Sequence, residues 1–236
     1  HHHGYFNAFN GEGNFDASVI LPDWANPLDI TRPGITMKLY PCCGSTHPAI
    51  EAMMALVREH DLKPDEIERA DVLLQTRRLA HTNRPRPNSA LDAKFSVQYV
   101  VARAVTDRRI TMEQFEGDAY NDPAVQRLLP KIYAGTYTAE HFPLDHHFGA
   151  VVTVKTTGGK TLTNKVFFQL GRTVDIPAPP ALMKEKFDNC AERTLPRERV
   201  AQIYDVIQRF EKISDVRELT RLLALNAGAA RRAAAA

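Results

Sequence analysis

Two runs of alternating apolar and polar residues, Val151 to Thr156 and Lys160 to Phe168, meet at Gly158-Gly159. Period-two alternation marks half-buried strands, and a glycine pair between two such runs marks a tight antiparallel hairpin. Helical patterns lie before it and after it. A hairpin set among helices restricts the chain to an α+β arrangement.

The rest of the chain is read around that hairpin. Ile50, Met53, Met54 and Val57 recur at the spacing of a buried helical stripe. Ser45 or Thr46 suits its N-cap and Pro48 its first turn, and Asp61 to Lys63 end it. Met37 to Tyr40 reads as a short extended piece stopped by Pro41. Ile67 to Thr76 reads as a strand with Val72 and Leu74 on one face. Residues 77–88 carry Arg77, Arg78, Arg84, Arg86, Pro85 and Pro87 and read as a basic connector. It is either a solvated loop or a mobile segment that meets an anionic substrate or a neighbouring subunit. Ser89-x-x-Asp92 resembles a capping box and opens a helix over 89–106. Shorter helical pieces follow near Thr111 to Phe115 and over Pro123 to Tyr133, the latter capped by Asp122. Pro177, Pro179 and Pro180 form a linker, and helices are predicted over 180–190, 196–211 and 214–225. Ala-rich 227–236 reads as a tail or a helical extension.

This order predicts three parts: an N-terminal segment over 1–35, an α+β lid with an antiparallel sheet over 36–172, and a helical segment over 173–236. The flanking parts belong to a helical body that they are too thin to form alone. His1-His2-His3 reads as a trimmed purification tag, and the absence of an initial Met suggests part of a longer protein.

Composition narrows the function classes. Hydrophobic residues make up 44% and charged residues 25%, which excludes wholesale disorder. Lys plus Arg number 30 against 28 Asp plus Glu, so nothing points to nucleic acid. No apolar run approaches the roughly 18–20 residues of a membrane span, and no signal pattern opens the chain. The three cysteines include an adjacent pair and imply no disulfide framework, so a reducing cytoplasm is expected. Cys42, Cys43 and distant Cys190 are a poor set for an iron–sulfur cluster, and His141, His146 and His147 lack partners at metal-ligand spacing. Walker, dinucleotide-binding and serine-hydrolase motifs are all absent from the sequence.

Lys38 to His47 carries the most chemistry. Gly44-Ser45-Thr46 runs into a helix N-terminus, where free backbone N–H groups and the helix dipole favour an anion. Lys38 adds a full charge and His47 stands at the start of the helix, a set that suits a carboxylate. The plain alternative is a capped helix with an incidental surface Lys and His. A second candidate group lies in 89–106: Ser96 and Tyr99 share a helical face, while Lys94 lies ~140° round from Tyr99 and reaches the same pocket only by curling. The plain alternative for Tyr99 is a core-edge aromatic with a satisfied hydroxyl.

Lys38-Leu39-Tyr40-Pro41 through Thr46-His47 resembles the Lys-x-Tyr/Phe-Pro…Thr-His segment of the MmgE/PrpD family. Ala93-Lys94-Phe95-Ser96-Val97-Gln98-Tyr99 resembles that family's Ala-Lys-Phe-Ser-x-x-Tyr segment. Similarity also runs through Asp122 to Val125, the hairpin and the helical end. The family includes 2-methylcitrate dehydratases, cis-aconitate decarboxylases and iminodisuccinate epimerases. The resemblance implies the C-terminal half of an enzyme about twice this length, with a helical domain, an α+β lid and a site between them. It further implies a homodimer, no metal and no organic cofactor. Loss of a group beside a carboxylate builds negative charge that cations stabilise. By the resemblance, Lys38 binds a substrate carboxylate and Tyr99 is a catalytic-site tyrosine. His47, Lys94 and Ser96 support substrate binding. Cys43 is the second catalytic candidate; it stands where decarboxylase-like members can have a histidine, a departure that leaves dehydration or epimerisation more open than decarboxylation. The implied activity is a hydro-lyase acting on a di- or tricarboxylate such as 2-methylcitrate. The alternatives are epimerisation of an amino- or imino-dicarboxylate and a non-catalytic anion-binding or dimerisation module.

Overall fold

The computed structural model describes residues 4–19, 21–143 and 145–224. His1 to His3 and the Ala-rich stretch 227–236 lie outside the described residues. After α1 (Tyr5–Asn10), an irregular stretch leads to α2 (His47–His60), the first large core element. Ala49, Ile50, Met53, Leu56 and Val57 of α2 are essentially out of solvent. Full burial of a side chain the size of Ile or Met contributes about 1.5–3 kcal/mol. Asp61 then takes a left-handed conformation (φ 48°) and stops the helix.

The expected α+β class holds, with a four-stranded sheet under the helices. Its strands are β1 (Ile67–Leu74), β2 (Ile132–Thr136), β3 (Ala150–Thr156) and β4 (Thr161–Val166), in the order β2-β1-β3-β4. β3 and β4 form the hairpin foreseen around Gly158-Gly159, with Val152 opposite Asn164 and Thr153 opposite Thr163. β3 also runs antiparallel to β1, pairing Val152 with Val72. Ala70, Val72, Leu74, Val152 and Val154 turn inward, while Arg69 stays in solvent and pairs with the less exposed Asp71.

The sheet is mixed, not wholly antiparallel. β2 runs parallel to β1, with Ala70 opposite Ile132 and Leu74 opposite Thr136. Sequence reading extends the preceding helix to Tyr133, but that helix, α6 (Pro123–Leu128), stops short of Pro130. A parallel pair needs a crossover of about a dozen residues or more. Here the crossover passes through α3 (Thr76–Thr82), α4 (Ala90–Ala93), α5 (Val97–Thr106) and α6. α2 packs on β3 and β4, and α5 packs on α2 and β2.

Two local expectations are corrected. The basic stretch 77–88 is helical through Thr82, because Gln75 caps α3 by accepting the Arg77 N–H at 2.7 Å. The helix expected over 89–106 is two helices. Ser89 caps α4 through the Asp92 N–H at 3.1 Å, and Ser96 caps α5 through the Tyr99 N–H at 3.0 Å. A second capping serine restarts the helix, so Lys94 and Tyr99 do not share one. Met37 to Tyr40 is extended but joins no strand; the Met37 N–H bonds to the Gly171 carbonyl at 2.8 Å.

After the proline linker come α7 (Pro180–Ala191), α8 (Arg197–Gln208) and α9 (Arg217–Leu223), close to their expected limits. α8 buries Val200, Ile203 and Val206, whereas α7 buries none of its residues. Tyr5, Phe9, Leu21, Trp24 and Ile30 of the N-terminal segment are exposed. No described helix is long and apolar enough to cross a membrane.

Candidate functional site

The site forms where the extended 37–43 strip turns into α2. Gly171 fixes the strip's path: its φ is +74°, and a Cβ there would stand 2.7 Å from the Met37 carbonyl oxygen. Only glycine allows that approach. Leu39 is buried, so Lys38 turns outward, and its Cε lies 3.7 Å from where a Cβ on Gly44 would be. The lysine therefore lies across the turn Gly44–Thr46 that leads into α2. The backbone carbonyl of Lys38 accepts a hydrogen bond from the Lys186 ammonium on α7.

Thr46 donates its hydroxyl to the Cys43 carbonyl at 2.8 Å, so it does not cap the first N–H groups of α2. The His47 N–H is taken by the Gly44 carbonyl and Pro48 has none, so the helix dipole, and not a row of free N–H groups, adds to the charge of Lys38 at this end of α2. The Cys43 N–H bonds to the Lys94 carbonyl at 2.9 Å, which draws the end of α4 to this loop. Cys42, beneath, is buried. Burial, the first cause, pushes its thiol up to about 12, and the charges of Lys38 and Lys94 oppose that rise.

His47 lies under the loop rather than on its face. It is almost fully buried, packs edge-on against Tyr40 at 5.1 Å, and its Nε2 has no hydrogen-bond partner among the described residues. Burial and then the charge of Lys38 push its ring down to about 4, so it stays neutral near pH 7.

The structure does not bring Tyr99 or Ser96 to this surface. Tyr99 is fully buried, donates its hydroxyl to the Gln114 carbonyl, and receives the Arg103 Nε–H at 2.9 Å. Arg103 in turn pairs with Asp107 at 3.1 Å and Asp122 at 3.0 Å. Burial is the first cause that raises the Tyr99 phenol. Ser96 donates to the Arg84 carbonyl at 2.6 Å while capping α5, so its hydroxyl hydrogen is committed. Ser96 caps α5 and Tyr99 ties it to Gln114 and Arg103, so both brace the scaffold.

One residue at the site escapes the sequence reading. His81 of α3 brings Nε2 within 3.1 Å of the Ser45 Oγ and 3.6 Å of the Cys43 Sγ. Its Nδ1 lies 3.0 Å from the Arg77 carbonyl, four residues back on the same helix. A carbonyl only accepts, so Nδ1 carries the proton and Nε2 of the neutral ring is the acceptor. The available signal was Leu79 and Thr82, three apart on one helical face, which marks a helix through the basic stretch. Among the described residues no group of three or more His, Cys, Asp or Glu side chains could hold a metal ion.

The site is thus a small α+β unit's cationic helix start, edged by a thiol and an imidazole. Residues 40–212 match the MmgE/PrpD C-terminal domain, and the chain belongs to that family. It is 28% identical over 198 residues to cis-aconitate decarboxylase of Mus musculus, covering 80% of this chain and 39% of that protein. It is 29% identical over 196 residues to the Homo sapiens cis-aconitate decarboxylase, with 80% and 40% covered. It is 28% identical over 204 residues to that of Aspergillus terreus strain NIH 2624, again with 80% and 40% covered. The chain spans about two fifths of the length of these relatives.

Proposed function

We propose that this chain is the carboxylate-holding part of a lyase that acts on a di- or tricarboxylate. The observation that carries the reading is Lys38 lying across the Gly44–Thr46 turn that opens α2, with the Lys94 backbone tied to Cys43 of the same loop. When a proton leaves the carbon beside a carboxylate, charge builds on the carboxylate oxygens. An ammonium placed beside those oxygens lowers that barrier. Lys38 is the principal contact and Lys94 the second. Cys43, open to the same surface, donates or takes a proton at the reacting carbon or leaving group. His47 and Ser96 hold the loop and α5 in place.

Dehydration is the first reading: a C–H bond gives its proton to a base, the C–O bond breaks, and water leaves. Relatives named as cis-aconitate decarboxylases favour a second reading, loss of carbon dioxide from an unsaturated tricarboxylate. The remaining acid–base groups and the helical body come, on this proposal, from outside the 236 residues. The isolated chain then binds without turning substrate over.

Titration calorimetry of the chain with citrate tests the binding step. A charge-assisted contact contributes about 1.5–3 kcal/mol, so Lys38→Ala should weaken citrate binding by about tenfold or more. Undetectable citrate binding, or equal affinity in the variant, overturns the reading. Incubating the full protein with hydroxylated and unsaturated tricarboxylates, followed by proton NMR, separates loss of water from loss of carbon dioxide.

A further inference from the structure

Cys43, Ser45 and His81 form a cluster that carboxylate binding does not require. Two independent elements build it, the loop before α2 and helix α3. The imidazole is fixed by the Arg77 carbonyl, so its Nε2 lies between the Ser45 hydroxyl and the Cys43 thiol. The Cys43 side chain is half-buried, while Cys42 beside it is sealed in the core. Lys38 lies over Gly44, the next residue, where its charge meets an incoming anion beside the sulfur.

We propose that Cys43 and His81 are a nucleophilic pair and that Cys43 is a site of covalent modification by small carbon electrophiles. Its preference for anionic electrophiles rests on the carboxylate reading above; the pairing itself does not. In the step, the Cys43 proton passes to His81 Nε2 and the sulfur attacks the electrophilic carbon. With an α-halo acid, the S–C bond forms as the carbon–halogen bond breaks, and halide leaves with the bonding pair. With an unsaturated dicarboxylate, the S–C bond forms at the double bond and the imidazolium returns the proton to the neighbouring carbon. Neither route needs an oxidant. Ser45 shares the imidazole, so a proton on Nε2 leaves its hydroxyl free to turn toward the bound carboxylate.

Iodoacetate labelling of the 236-residue chain at pH 7 tests this. Mass spectrometry resolves the three cysteines, with fragmentation between residues 42 and 43. Cys43 should label about tenfold faster than N-acetylcysteinamide in the same buffer, and His81→Asn should bring it back to the rate of that free thiol. His81 is exposed, and among the described residues its ring bonds only within α3 and this cluster. Slow labelling of Cys42 serves as the internal sign that each variant is folded. A Cys43 no faster than the free thiol, or a fast Cys43 that ignores His81→Asn in a folded chain, overturns the pair. Excess citrate should slow Cys43, and Lys38→Gln should lower the ratio of iodoacetate to iodoacetamide rates. Fast, His81-dependent labelling that neither citrate nor Lys38→Gln alters supports the pair and counts against the carboxylate reading.

Discussion

Two titratable residues of α2, His47 buried and Glu51 half-buried, give opposite dependences on pH. Glu51 accepts the Leu170 N–H with both carboxylate oxygens at 3.1 Å. Burial raises its carboxyl from the usual 4.5 to about 7. The fold therefore holds the proton more tightly than the open chain does. The stability this contributes is full below about 4.5, declines as pH rises, and is gone above about 7. His47 runs the other way. Its ring is lowered from 6.5 to about 4, so its contribution is full above 6.5 and is lost as pH falls toward 4. Urea melts of Glu51→Gln and the parent from pH 4.5 to 8 should show the parent losing stability relative to the variant as pH rises. Parallel curves would place Glu51 in solvent. Tyr99→Phe leaves the buried Arg103 short of an acceptor and the Gln114 carbonyl short of a donor. A loss of about 1–3 kcal/mol is expected, read as a lower urea midpoint at unchanged slope. Little change in citrate affinity should accompany it, since the hydroxyl faces Arg103 and not Lys38.

Caps and one glycine decide where the elements start. Ser96→Ala removes the α5 cap and the bond to the Arg84 carbonyl, and should cost about 0.5–2 kcal/mol. Gly171→Ala forces a Cβ onto the Met37 carbonyl. It should lower thermal stability and also weaken citrate binding, because Met37 and Lys38 move together. The paired readout separates it from Ser96→Ala, which should leave citrate largely unaffected. The hairpin, α2 and the helices after the linker were legible because their apolar periods are long and their ends carry Gly, Pro or Asp. β2 was not: Ile132 to Thr136 is five residues long, contains Gly135, and is a strand only because β1 lies beside it. The break at Lys94 to Ser96 hid for a related reason. Apolar residues continue across it, and a serine inside such a run reads as helix surface until its side chain is seen bonding to the Tyr99 N–H. At the site, Lys38 and Lys94 were legible as charges beside a helix start. His81 was not, since its link to Cys43 joins residues 38 apart.

Across the whole molecule, the α+β unit leaves and rejoins the rest of the chain at one place. Met37 bonds to Gly171, the Thr36 hydroxyl to the Arg172 carbonyl at 2.9 Å, and Val174 to the Pro33 carbonyl at 3.3 Å. Arg32 faces Asp175 at 3.4 Å just outside. The sheet, α2 and α5 all lie between these crossing strands in sequence. A chain trimmed to residues 36–172 should keep a cooperative urea transition, because the core Ile50, Met53, Val72, Val100 and Val152 lies wholly inside it. A gradual transition would show that α7 and α8 are needed. The narrow neck also has a mechanical meaning. Tension applied to the two ends of the chain would pass from residue 37 to residue 171 through a single hydrogen bond and a few neighbours, so the sheet would carry no load until that clasp had opened.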